Sequence, residues 1–455
     1  EFVCKGGKDM CDRHCEIAVI EIEGKKYPFG GACNRYYNLR YKIKYDVESL
    51  DLVRQRQQLI FGKYGARAHG PKNSDPATKK THIPAGRSRG RIGINRSFLV
   101  NTYYPLYANF FGAIGYETVL PDKPTKAGID QKNAAFCHPA ELAHGFFKTL
   151  VEMAEPPEYI FLPHLKAVPT LSGQDCSQVC PLVQGEPFYL QSTFRHELDQ
   201  LRARGIKVLT PFVDLTSGLH TAEAPLLETA RQMGVSRAEA ASAFQKALQQ
   251  QTWCLEEMQA IGQKALQALE ADPQKSAVVM FGRPYNAFAD EAHMGIPHKL
   301  ASRGVLVIPL DFLPLDGWDA KRHMYWGMGQ RILKAARLVE KHPQLFGTFI
   351  TNFSCGPDSF IVGYFRDIMG RKPSLTLELD SHTADAGLET RIEAFLDIVA
   401  VYRQLVTKTA TVPAKYAYTP ARTQVQNGTA KVVTSSGENL PMTHPRVKHL
   451  LPSMG

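Results

Sequence analysis

The sequence predicts an α/β protein: two Rossmann- or flavodoxin-like parallel-sheet lobes joined by long helices, with a small Cys-rich module in front. Three observations carry this. Short apolar strands alternate with helical stretches from Arg91 onward, one long amphipathic helix interrupts the alternation, and the alternation resumes at Ser276. Strand–helix–strand repetition implies parallel sheets covered by helices.

Each element has its own signal. Residues 1–45 contain the alternating stretch Glu16–Glu23, a turn at Gly24-Lys25-Lys26, and a return through Tyr27–Gly31, which reads as a hairpin bringing Cys15 towards Cys33. Residues 46–88 are polar and basic and read as a helix followed by an exposed linker. The first lobe, 89–235, has strands expected at Arg91–Ile94, Glu117–Leu120, Glu158–Leu162 and Lys207–Thr210, with helices near Tyr104–Ile114, Pro139–Met153 and Leu190–Arg204. A connector, 236–272, carries Phe244, Leu248, Gln251, Leu255, Met258, Ile261, Ala265 and Leu269 at helical spacing. Such a stripe serves core packing or a homodimer seam. Cys254, beside it, reads as a buried inert thiol. The second lobe, 273–408, has strands at Ser276–Phe281, Val305–Pro309, Thr348–Thr351 and Leu375–Leu379, and helices at Pro297–Arg303, Met324–Glu340, Ser359–Met369 and Ala384–Tyr402. The polar remainder, 409–455, reads as an extended tail.

Composition narrows the class. With 44% hydrophobic and 22% charged residues over 455 positions, the chain is globular rather than disordered. No apolar run reaches the ~18 residues of a membrane span. The start, Glu1-Phe2-Val3-Cys4, lacks an initiator Met and a signal-peptide core, which fits a piece of something longer. The net charge of +10 sits mainly in 35–96 and after Lys408, without the aromatic interleaving of a nucleic-acid module. A basic face can equally dock an acidic protein or a phosphate-bearing ligand. Nine cysteines, four of them in the first 33 residues, suit metal ligands in a reducing cytoplasm better than a disulfide framework.

Ligand sites in parallel sheets lie beyond the carboxyl ends of the strands. Cys355 follows such a strand in Asn352-Phe353-Ser354-Cys355-Gly356-Pro357. Cys137, in Phe136-Cys137-His138-Pro139-Ala140, precedes a helix, where the helix dipole favours thiolate. Cys180 lies in Cys176-Ser177-Gln178-Val179-Cys180-Pro181, with Cys176 a substitute ligand, a bridge or a bystander. Three thiolates on one edge suit an iron–sulfur cube with one open iron, or they are three unrelated loop cysteines. Cys4, Cys11, Cys15 and Cys33 can close a zinc site or hold a second cube, with zinc favoured on spacing and His14 facing solvent. Arg283, in Gly282-Arg283-Pro284-Tyr285-Asn286, is a ligand-binding cation or a packed structural residue. His144 is a proton donor or a packing residue. His382, Asp385 and Arg391 read as capping residues of the last helix, with Thr383 as its N-cap. No Walker A sequence and no strand-linked G-x-G-x-x-G occurs, and Ala85–Gly90 is only a weak phosphate turn.

Several segments resemble the 2-hydroxyacyl-CoA dehydratase superfamily, and within it the dehydratase-like part of the large acyl-CoA dehydratase activase-related proteins, relatives of double-cubane cluster proteins. They are Arg91–Arg96, Cys137–Gly145, Ile160–Pro163, Cys180-Pro181, Gly282–Tyr285, Gly295–Pro297, Asn352–Ser359 and Leu377–Asp385, in order along the chain. The resemblance implies that Cys137, Cys180 and Cys355 bind a four-iron cube or a double-cubane cluster of eight irons and nine sulfides. It further implies low-potential electrons from an ATP-hydrolysing activator of the actin–hexokinase type, acting in trans or from the same longer chain. The expected function is an iron–sulfur reductase or dehydratase-like component. In relatives the delivered electron creates a ketyl radical that expels a hydroxyl group. Here the substrate is expected to be an acyl-CoA, another small molecule or a further acceptor, with His144 and Arg283 as proton source and cation. The N-terminal cysteines would either complete a double cube with the core three or serve separately. Two other classes stand against this: a zinc-stabilised scaffold, which metal analysis separates, and a nucleic-acid binder, which a steep salt dependence exposes.

Overall fold

The computed structural model describes residues 1–5, 14–31, 34–65, 88–132, 134, 136–319, 321–408, 421–426, 428–434 and 437–447. The chain divides into two compact units, Glu1–Val399 and Ala400–Gly455.

The first unit opens with a small antiparallel sheet of Phe2–Val3 (β1), Glu16–Ile22 (β2) and Lys25–Phe29 (β3). The hairpin expected here is present, its turn at Glu23-Gly24, both with positive φ as a two-residue hairpin loop requires. This module is tied to the second lobe. Asn34 donates its N–H to Ser302 Oγ at 2.9 Å, and the buried Lys299 ammonium donates to the Gly31 carbonyl at 3.0 Å.

The first lobe's main sheet comprises Gly90–Ile94 (β4), Tyr116–Val119 (β5), Tyr159–Phe161 (β6) and Lys207–Leu209 (β8), all parallel, in the order β5-β4-β6-β8. His164–Ala167 (β7) and Phe212–Asp214 (β9) pair in parallel beyond it. The second lobe's sheet comprises Ala277–Phe281 (β10), Leu306–Pro309 (β11), Leu345–Asn352 (β12) and Ser374–Leu379 (β13), in the order β11-β10-β12-β13. Every residue of β10 and β12 is buried, because helices cover both faces. The two sheets share one winding: the first strand lies between the second and the third. Each therefore has a switch point between its first and third strands, where the outgoing loops part and leave a crevice.

The stretch expected as one helix, Leu190–Arg204, is two, Glu186–Thr193 and Arg195–Ala203, broken at Phe194. That side chain is fully buried against Phe147, Leu190 and Leu198, and its backbone leaves helical geometry to put it there. The long connector forms as Arg237–Glu270, with Ser236 Oγ capping Glu239 N–H. Its buried face is rotated from the expected stripe. Ala240, Ala243, Ala247, Cys254 and Gly262 lie inside with Phe244, Gln251 and Met258. Small residues win because the helix runs close to its neighbours: a Cβ at Gly262 would sit 1.9 Å from the Phe312 carbonyl oxygen. Burial pushes the Cys254 thiol up to about 12, which makes it inert.

Helix Val100–Ala113 contains Pro105, which removes one N–H from the helical ladder and frees the Asn101 carbonyl. Arg56, fully buried on helix Leu52–Gln57, donates to that carbonyl at 3.0 Å and holds Asp311 at 2.7 Å. One residue on, the Gln251 amide bridges the opened ladder, donating to Thr102 O and accepting from Leu106 N–H, each at 3.2 Å. Gln251→Leu leaves two buried backbone groups unpaired. It is expected to cost about 2 kcal/mol, read as a lowered denaturation midpoint.

Within the stretch expected as an extended tail, Arg422–Gln426 (β14), Thr429–Val433 (β15) and Asn439–Pro441 (β16) form a three-stranded antiparallel sheet. Gly428, just before β15, has φ +74°, the left-handed conformation that tight hairpin turns favour. No described helix is long and apolar enough to cross a membrane.

Candidate functional site

The loops leaving the switch points of the two lobes meet. Phe98, after β4, packs edge-on against Tyr285, after β10, with ring centroids 5.2 Å apart. The segments correspond position by position, Ile94-Asn95-Arg96-Ser97-Phe98 with Phe281-Gly282-Arg283-Pro284-Tyr285. Gly282 is required where it stands: its φ is +140°, and a Cβ would lie 2.6 Å from the Ile350 carbonyl oxygen of β12.

Arg283 is 3% exposed at this junction. Its Nη2 donates to Cys355 Sγ at 2.5 Å and to Asp358 Oδ2 at 2.8 Å, and its Nη1 donates to Tyr285 Oη at 3.2 Å. Asp358 also accepts from Thr351 Oγ1 at 2.7 Å, and its own N–H points at Cys355 Sγ at 3.3 Å. Burial works against the charged guanidinium, but the Asp358 carboxylate and the neighbouring tyrosine and thiols outweigh it and hold Arg283 well above its usual range.

The three core cysteines share one local design. Cys137 caps helix His138–Val151, Cys180 caps the short helix Pro181–Gln184, and Cys355 caps helix Gly356–Met369; each helix has Pro in its first two positions. Proline fits there because the first-turn N–H groups have no helical acceptor. At the two long helices the thiol faces the positive end of the dipole. Burial pushes Cys355 up to about 12, opposed by Arg283, and raises Cys137, opposed by the Ala140 N–H and Arg283. Cys137 senses the charge of Cys180, and Cys355 senses that of Cys137, so the structure gathers these three across the lobe junction. Cys180 and Arg283 line a narrow crevice there with Leu99, Tyr285, Trp326 and Met328.

Cys176 is half-exposed, between the buried Ser177 and Asp175, whose carboxylate pairs with Arg322 at 3.0 Å. Cys4 and Cys15 lie together in the N-terminal sheet, where Cys4 N–H donates to Cys15 O at 2.7 Å. Cys11 and Cys33 lie outside the described residues. The turn before the last helix is organised by Asp380, which accepts from His382 N–H at 3.0 Å and Thr383 Oγ1 at 2.8 Å, while Arg391 donates to Thr376 O at 2.7 Å.

His144 is fully buried, and burial lowers its pKa, so the ring is neutral. Its Nδ1–H donates to Ala140 O at 2.7 Å, which leaves Nε2 as a buried acceptor with no partner among the described residues. It stacks on Tyr189 at 5.2 Å. Sequence reasoning missed Tyr189, Tyr285, Asp358 and Glu186. Asp358 carried a signal as an acid in the first turn of the helix after Cys355, and Glu186 is likewise a first-turn acid.

Among the described residues no three His, Cys, Asp or Glu side chains lie close enough to hold one metal ion. A cube spreads its ligands over separate corners, so the thiols are tested against it by their surroundings. They fit an anionic sulfur-bound group in two respects: a buried cation stands among them, and Arg283 Nε and both polar atoms of Asn286 and Asn352 are buried there without a hydrogen-bond partner among the described residues.

No curated protein matches the chain. Residues 91–313 match the family model described as the CoA enzyme activase uncharacterised domain, and this match supports the acyl-CoA dehydratase activase-related family.

Proposed function

We propose that this chain is an iron–sulfur protein that accepts low-potential electrons from an ATP-hydrolysing activator and reduces a small molecule at a cluster held by Cys137, Cys180 and Cys355. The observation that carries the reading is the gathering of these three thiols, from two lobes, around the buried Arg283. When bound, the cluster would supply one-electron reduction. The chain's own residues do the rest. The helix N-termini and Arg283 offset the negative charge of thiolates, which burial alone disfavours. Metal binding releases the thiol protons. Trp326, Met328 and Leu99 give the crevice an apolar wall that limits water, and His144, stacked on Tyr189, holds a buried Nε2 that would take up a proton. The activator, in trans or fused in a longer chain, would dock on the basic surface.

Cys4, Cys11, Cys15 and Cys33 we assign to a separate thiolate group, zinc or a relay cluster. The docking of their module on the second lobe through Lys299 and Ser302 supports the separation.

Anaerobic purification followed by iron, sulfide and zinc quantification tests the reading. Iron with acid-labile sulfide is expected in the wild type and lost to a large extent in Cys355→Ala, while Cys254→Ala keeps it. Zinc without iron or sulfide would replace the redox reading with a scaffold.

A further inference from the structure

We propose that Trp326 occupies the corner of the site where the winding shared by the two lobes would place a fourth thiol. A cluster held at the other three corners then keeps one side open to a small ligand, whose width the indole limits. This rests on the redox reading of the crevice. In a parallel sheet the helices begin at the carboxyl edge, where ligands bind. Each lobe therefore offers two helix starts around its third strand, one from the helix that precedes the strand and one from the helix that follows it. In the first lobe these starts are capped by Cys137, ahead of β6, and by Cys180, after β6 and β7. In the second lobe Cys355 caps the helix after β12, and the helix ahead of β12, Gly327–Lys341, is capped by Trp326. The correspondence extends to spacing. Cys137 follows Val119, the last residue of β5, by 18 positions, and Trp326 follows Pro309, the last residue of β11, by 17. Both caps have extended backbone. Three of four equivalent corners thus carry sulfur, and the fourth carries an indole.

Packing puts that indole in the crevice. Gln178, two residues before Cys180, pairs with Trp326 as strand neighbours do: Gln178 N–H donates to Tyr325 O and Gly327 N–H donates to Gln178 O, each at 3.1 Å. Glycines on either side of Met328 allow close approach. A Cβ at Gly327 would lie 2.4 Å from Val168 Cγ2, and one at Gly329 would lie 3.0 Å from Ile361 Cδ1, on the helix that Cys355 caps. The helix start is therefore wedged between the segment leading to Cys180 and the helix leaving Cys355. Trp326 lines the crevice there with Cys180, Arg283 and Pro357. Tyr325 packs edge-on against the indole, with ring centroids 4.8 Å apart, and restricts its swing. An indole has one N–H donor and no lone pair to offer a metal. The fourth corner thus contributes a flat wall and no bond, which suits a small molecule with a lone-pair end and little branching.

A tryptophan that merely fills space between the lobes would leave ligand access unchanged, so the test reads ligand binding. The full chain, prepared anaerobically and reduced with dithionite, is titrated with cyanide and with tert-butyl isocyanide under paramagnetic resonance, beside Trp326→Cys and Trp326→Ala. Cyanide should shift the resonance of the wild type and of W326A. In iron-replete W326C the introduced thiol should lose its proton and bond the open iron through its sulfur, with no electron moving, so that the cyanide shift disappears. That thiol should also resist iodoacetamide until a chelator removes the iron. W326A should respond to the branched isocyanide at a concentration lower by roughly tenfold or more than the wild type, with its cyanide response unchanged. Should W326C fail to fold or to take up iron, the isocyanide comparison still decides. Three results would overturn the role of Trp326 alone: an iron-replete wild type blind to cyanide, an isocyanide response in W326A equal to the wild type's, or a full cyanide shift with an unprotected thiol in iron-replete W326C. Absence of iron and sulfide from every sample, wild type included, would remove the redox reading as well.

Discussion

Arg283→Met is expected to lower the stability of the chain by about 3–5 kcal/mol, the cost of stripping one partner from a buried pair. The substitution fills most of the same volume, so packing loss is small. What remains is Asp358, 1% exposed on its side chain, with Thr351 as its one remaining side-chain donor and Oδ1 already without a partner among the described residues. The double variant Arg283→Met with Asp358→Asn should recover most of the loss, because it removes the stranded charge as well. Arg283→Lys should fall between: it keeps the charge but cannot reach Cys355, Asp358 and Tyr285 as one planar fork does. Denaturant unfolding of the four proteins measures this. If R283M matches the wild type, the pair is not what holds the crevice wall.

Between about pH 4.5 and pH 7 the wild type should lose up to about 3 kcal/mol of unfolding free energy relative to Glu186→Gln. The sign follows from the direction of the shift. Burial holds Glu186 at about 7 in the folded chain, above the 4.5 of an ordinary glutamate, so the native state keeps a proton that the unfolded chain releases. The contribution is full below the unfolded value and is lost as the pH rises through the folded one. Asp51 is also raised by burial, while Asp214 shifts the opposite way, down to about 2, and both are common to the two proteins. The difference between wild type and E186Q therefore isolates the single group. A difference that does not change with pH would mean that Glu186 is ionised in the fold.

The sheets were readable from the sequence because parallel strands covered on both faces are short apolar runs bounded by polar turns. Ala277–Phe281 and Ser374–Leu379 fall within a residue of expectation. The capping thiols were readable because Cys followed by Pro at a helix start is a local pattern. What could not be read was anything set by distant partners. The sequence predicts the helix near Tyr104–Ile114 but not its earlier start at Val100, which puts Pro105 inside it; Arg56 and Gln251, 49 and 146 positions from that proline, satisfy the groups it leaves open. Glu186 looks like an ordinary first-turn acid until Asn95 and Ser97 are folded over it. Cys254 was legible as a buried inert thiol, but the deeper burial of Ala240, Ala243, Ala247 and Gly262 than of Leu248 and Leu255 was not, because close approach to Phe312, not hydrophobicity, chooses the inward face.

Two of the gathered sulfurs ride on one lobe and the third on the other. A hinge movement would leave the spacing of Cys137 and Cys180 alone and change only their reach to Cys355, like a clasp with two fixed prongs. Whatever bonds to all three fastens that clasp, so its arrival should be felt far from the sulfurs, as slowed amide exchange and protease resistance along the seam where Gln178 joins Trp326.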